Sequence, residues 1–176
     1  MADMEQNAEV SFSLLDLANM STDGVRTLLT RLPSAGLYTF ELLDVKGSQG
    51  EPDENGRAGL IRYKFDYKTL DVKPVDKKVD PLTLIDRQLS ESYTLWPSAL
   101  EEMIGLLKGR YQKAGIPNTG NMGGVEGAAP GWLDGGIGRI IQVRVYTFMN
   151  KGQERVGFDW VGGNPAEQAE QAAATA

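Results

Sequence analysis

The sequence predicts a mostly β, β-rich α+β fold of five strands and one main helix. Three observations carry this. Residues 37–46, 60–72, 139–149 and 153–161 alternate apolar and polar side chains at period two. Residues 97–115 instead space Leu100, Ile104, Leu107 and Tyr111 as one face of a helix. Clusters of Gly, Pro, Asn and Asp separate these segments, and 176 residues suffice for one domain with extensions.

From the N-terminus, a polar stretch over residues 1–9 is followed by an apolar patch starting at Val10, read as a strand or a docking arm. Ser21-Thr22-Asp23 reads as a helix start, with Val25, Leu28, Leu29 and Leu32 at helical spacing and Pro33 as the stop. Tyr38, Phe40 and Leu42 share a face of the first strand. Residues 47–59, GSQGEPDENGRAG, read as a flexible hairpin tip. In the second strand, Ile61, Tyr63, Phe65 and Tyr67 oppose Arg62, Lys64, Asp66 and Lys68. A third strand is expected over 82–89, LTLIDRQL. Pro97 then opens the helix, Glu101 and Glu102 favour its N-terminal dipole, and Gly115 ends it. Gly105 and Gly109 weaken it, which suggests close packing on a sheet. Residues 115–138 are glycine-rich and read as a flexible loop. Asn150-Lys151-Gly152 turns the chain between the last two strands, and Val156, Phe158 and Trp160 share a face of the fifth.

One helix between the third and fourth of five strands is the order of an OB-like barrel, although other small α+β sheets use the same elements. The expected division is an N-terminal arm with a short helix over 1–32, the barrel over 33–161, and a low-complexity tail over 162–176, disordered or a frayed helix.

The chain has no histidine and no cysteine. That removes disulfides, thiol catalysis, Cys-type zinc sites, the Ser-His-Asp triad and the commonest general base. No GxxxxGK[ST] motif accompanies the glycine run, and no cation lies between Lys113 and Arg139. The carboxylates do not cluster, so a hard-metal nuclease built on Asp66 or Asp86 is the weakest reading. The expectation is a non-enzyme without cofactor or metal. No stretch approaches the roughly 20 apolar residues of a membrane helix, and the acidic N-terminus lacks the features of a signal peptide. A cytoplasmic address is expected, with no membrane partner.

Net charge is −6, but residues 59–79 hold six Lys/Arg against three Asp/Glu and residues 139–156 hold four against one. Local field governs binding, because screening acts over roughly 10 Å. In these segments cations interleave with aromatics. Single-stranded nucleic acid binding needs both, cations for phosphates and ring faces for bases. The candidate contacts are Arg62, Lys64, Tyr67, Lys68, Arg139, Arg144, Tyr146 and Phe148. The sharpest signal is Arg144, Tyr146 and Phe148 on one face of a strand whose other face is Ile141, Val143 and Val145. The competing reading is that Tyr and Phe are good strand formers packing a second layer. Trp96 and Trp132, beside turns, read as core anchors before stacking platforms.

LPSAGLYTFELLDVK, LIRYKFDY, ALEEMIGLLKGRYQKAGI and GRIIQVRVYTFMNKGQERVGFDWV, over roughly 32–161, together resemble phage-encoded single-stranded DNA-binding proteins of the OB-fold type. That resemblance implies sequence-independent coating of single-stranded DNA in replication and recombination, replication or recombination proteins as further partners, and no catalysis. In a phage-encoded protein the location would be the host cytoplasm. The tail departs from the acidic, aromatic-tipped tail of that group, holding only Glu167 and Glu170. The alternative is a phage structural or assembly protein, a virion or decoration component, that forms a homo-oligomer.

Overall fold

The computed structural model describes residues 13–21, 23 and 33–175. The chain divides into a unit Met1–Arg31 and a unit Leu32–Ala176. In the first, α1 spans Leu14–Ala18. Ser13 and Asp16 cap it reciprocally, the Ser13 amide donating to Asp16 Oδ2 and the Asp16 amide to Ser13 Oγ. The described part of the apolar patch is thus helical rather than extended. The helix expected after Ser21 lies outside the described residues.

The second unit holds five antiparallel strands in one sheet: β1 (Gly36–Gln49), β2 (Ile61–Pro74), β3 (Gln88–Leu95), β4 (Ile140–Asn150) and β5 (Gln153–Gly162), in spatial order β3-β2-β1-β4-β5. α2 (Leu100–Lys113) lies between β3 and β4 in sequence, and α3 (Pro165–Ala174) follows β5. β1 pairs β2 along its whole length and β4 over Gly36 to Glu41, with register shifts after Thr39 and Leu42. Such irregularities bend a strand and increase its twist. Lys151 and Gly152 both have positive φ, the geometry of a two-residue type I′ turn between β4 and β5.

The third strand begins six residues later than its sequence pattern suggests. Over 81–83 the chain makes a 3-10 turn, with Pro81 at its first position and Asp80 Oδ1 accepting the Leu82 amide at 3.0 Å. Asp86 then takes a left-handed φ of 63°, a conformation Asp tolerates. The alternating set that identifies β3 is Leu89, Glu91, Tyr93 and Leu95, and its central carboxylate hides the pattern.

Inward side chains of the sheet build an aromatic core: Tyr38, Phe40, Phe65, Tyr67 and Trp160 are fully buried, joined by Tyr111 of α2. Successive rings stack at 4.8 to 6.4 Å. Each such pair adds about 0.5–1.5 kcal/mol to the burial itself. β3 and β5 are the two edges, and no ladder joins them among the described residues. Side chains do. Arg110 donates to both oxygens of Glu91 at 2.9 and 2.7 Å and to the Phe158 carbonyl at 3.1 Å. Tyr67 Oη donates to Glu91 at 2.8 Å and accepts from Trp160 Nε1 at 3.0 Å. Burial alone lowers the Arg110 pKa, but Glu91 more than offsets this and the guanidinium stays charged.

Leu107 and Tyr111 carry the buried stripe of α2, while Leu100 is exposed. Gly105 and Gly109 do not pack closely on the sheet: a Cβ at either would meet nothing within 4 Å. Each costs the helix about 1 kcal/mol relative to alanine with no packing return.

The glycine-rich segment is built into the core instead of hanging free. Ile116, Trp132 and Leu133 are buried. Asp134 Oδ2 accepts amides from Gly124 at 2.9 Å and Gly131 at 2.7 Å. The Trp132 and Leu133 amides donate to Asn121 and Met122 carbonyls. Gly131 sits so close to the backbone of Asn121 and Gly123 that no Cβ fits. The tail, expected disordered or frayed, forms α3: Asn164 accepts the Ala166 amide at 3.1 Å, and Pro165 occupies the first helical position. No helix among the described residues is long and apolar enough to cross a membrane.

Candidate nucleic-acid interface

β4 separates two chemistries by strand parity. Ile141, Val143 and Val145 point inward and are fully buried. Arg144, Tyr146 and Phe148 point outward. Tyr146 and Phe148 are each 43% exposed, far more than a packed second layer would leave. Their ring centroids lie 5.9 Å apart, tilted by 40°.

β5 positions these rings. Gly157 is the cross-strand partner of Tyr146, and a Cβ there would overlap the tyrosine ring. The phenol therefore lies flat over glycine backbone, one side supported and the other open. Arg155 stands opposite Phe148, and Asp159 opposite Arg144. The Arg144–Asp159 ion pair is 3.6 Å, between exposed side chains. A pair of that kind contributes about 0–1 kcal/mol and leaves the guanidinium exchangeable.

Tyr146, Phe148 and Arg155 form one wall of a groove of about 610 Å³, whose other wall is Ser90 and Ser92 of β3. The groove thus runs between the two sheet edges. Register places Ser92 beside Lys64 and Thr94 beside Arg62, so the outward cations of β2 stand one strand from it. They are partly neutralised: Lys64 pairs with Asp66 at 3.1 Å and Lys68 with Asp86 at 3.5 Å. Among the described residues Arg62 has no ion pair.

Two of the sequence candidates do not belong to this surface. Tyr67 is fully buried, donating to Glu91 and accepting from Trp160, so it cannot stack on a ligand. Inward parity on β2, shared with Tyr63 and Phe65, is the reason. Burial, with the Glu91 charge second, holds its hydroxyl well above the usual tyrosine range. Arg139 precedes β4 and lines a different hollow of about 420 Å³ with Trp132 and Asn121. Arg62, Lys64, Lys68, Arg144, Tyr146 and Phe148 are outward residues of the sheet.

Trp96 was legible only in part. It is 51% exposed, immediately beyond β3, and continues the outward set Ser92, Thr94. That parity depends on the correct start of β3. Trp132, by contrast, is a core anchor, edge-on to Tyr111 at 5.1 Å.

Among the described residues no group of three or more carboxylates is arranged to hold a metal ion. Asp66 accepts from Ser90 and pairs with Lys64, and Asp86 pairs with Lys68. What the outward surface offers is cations, open ring faces and small hydroxyls. Compared with known families and with curated proteins, the chain matches no family model and no curated protein.

Proposed function

We propose that the chain is a single-stranded DNA-binding protein that works without catalysis or sequence preference. The observation that carries this is the Tyr146–Phe148 pair, half-exposed beside Arg144 on a strand whose other face is sealed in the core. Open aromatic faces stack any base, at about 1–3 kcal/mol each, and nearby cations track the phosphates. The reading is supported by the five antiparallel strands with α2 between the third and fourth in sequence, an order compatible with an OB barrel, and OB folds bind oligonucleotides over their second and third strands and last hairpin. Lys64, Arg62 and Lys68 occupy the corresponding outward positions of β2. Coating of single strands in phage-type replication or recombination, in the host cytoplasm, is the role this binding would serve.

The test is fluorescence anisotropy with labelled single- and double-stranded oligonucleotides over a salt series. Tighter binding to the single strand, weakening steeply with salt, is expected. Absence of binding at low salt defeats the proposal. Oligomers that persist at high salt without DNA affinity would favour the assembly-protein reading, with Phe148 and Met149 on the hairpin as its contact.

A further inference from the structure

We propose that the bound strand continues past Tyr146 into a second groove, between α2 and the outer face of β4 and β5, where Lys113 and Arg144 hold its phosphates. This rests on the single-stranded DNA reading above and adds a path to it. The groove has a volume of about 480 Å³, and Tyr146 lines both it and the larger groove between the sheet edges. Arg110 and Phe158 also line both, so the two grooves adjoin around these three residues.

Two independent features point to a phosphate-bearing occupant. Lys113 of α2 and Arg144 of β4 converge on the two oxygens of Asp159, at 3.8 and 3.6 Å. Cations from separate elements meeting at one carboxylate form a seat for an anion. Both contacts are long and all three side chains are exposed, so a phosphate can take the two cations from the carboxylate, against the repulsion of its remaining charge. Arg110, also in the lining, is held by Glu91 and is not free to take part.

The second feature is the helix wall. Gly105 and Gly109 are one turn apart and both line this groove. Neither is required by contacts of the fold, since a Cβ at either would meet only open space. Side chains there would narrow the channel where a sugar-phosphate backbone is to pass. Glycine at both positions keeps it wide.

The test uses the full chain, labelled oligo-dT, anisotropy over a salt series, and melting temperature as a fold control. Gly109→Leu fills the groove with a better helix former. We expect affinity to fall about tenfold or more while the melting temperature holds or rises. Lys113→Ala should weaken binding several-fold and reduce the salt slope by about one. Asp159→Asn should tighten binding several-fold more than Glu167→Gln, which makes the same charge change on α3. If wild type binds and Tyr146→Ala weakens it, yet Gly109→Leu and Lys113→Ala bind like wild type, this path is wrong and the parent reading stands. That outcome would fit a partner helix on the Gly105–Gly109 face. If wild type does not bind, both fall together. Should Gly109→Leu fail to fold, Lys113→Ala and Asp159→Asn decide the matter.

Discussion

Replacing Glu91 by alanine should destabilise the protein by about 3–5 kcal/mol, the usual cost of leaving a buried charge without its partner. Glu91 is 8% exposed, and both its oxygens are used by Arg110. Removal strands that guanidinium between α2 and the two sheet edges. It also takes the acceptor from the Tyr67 hydroxyl, at a cost of about 1–3 kcal/mol that overlaps with the first. Changing Arg110 to methionine alone leaves the carboxylate buried instead. With both changes, E91A/R110M, no charge is left behind, and only the Tyr67 hydroxyl and the Phe158 carbonyl lose partners. The double variant should therefore be more stable than Glu91→Ala, with a coupling energy of about 2 kcal/mol or more. Urea unfolding followed by tryptophan fluorescence measures this, because Trp160 belongs to the same network. A loss under about 1 kcal/mol for Glu91→Ala, or additive single changes, would refute the claim that this cluster ties the sheet edges together.

Two further outcomes follow from buried groups. Burial raises the pKa of Tyr67 and Tyr111 above the tyrosine value of about 10. The stability they contribute is present below pH 10 and is lost as pH climbs through their folded values. Tyrosinate absorbance followed beside circular dichroism should show these two ionising only as the fold is lost. Ionisation of all six tyrosines in a native spectrum would contradict this. Separately, Asp134→Ala removes the acceptor of two amides and should cost about 1–3 kcal/mol. Faster hydrogen exchange at Gly124 and Gly131, with the β1–β2 ladder unchanged, is the expected signature, and unchanged exchange at both sites would count against it.

The sheet was legible wherever one face of a strand is apolar without interruption. Tyr38-Phe40-Leu42 and Ile141-Val143-Val145 declare their parity, and the second set exposes Tyr146 and Phe148 by default. β3 was not, because Glu91 sits among its inward residues and only its partners Arg110 and Tyr67, distant in sequence, make that burial tolerable. Residues 115–138 read as free loop because glycine has no side chain to pack. The reason for those glycines is close approach of backbones, as at Gly131, which composition cannot reveal. Tyr67 was legible as inward from its alternation with Arg62, Lys64 and Lys68. The supporting role of Gly157 was not, since it depends on β4–β5 register.

The most direct measurement is the affinity of oligo-dT for Tyr146→Ala, Phe148→Ala and their combination, compared with Arg62→Ala and Lys64→Ala under the same salt. Loss of one stacked base, about 1–3 kcal/mol, corresponds to roughly 5- to 150-fold. We expect each ring variant to weaken binding in that range with little change in salt slope. The β2 cation variants should instead lower the salt slope by about one each. A double ring variant that binds as tightly as wild type would contradict the assignment of this face to single-stranded DNA.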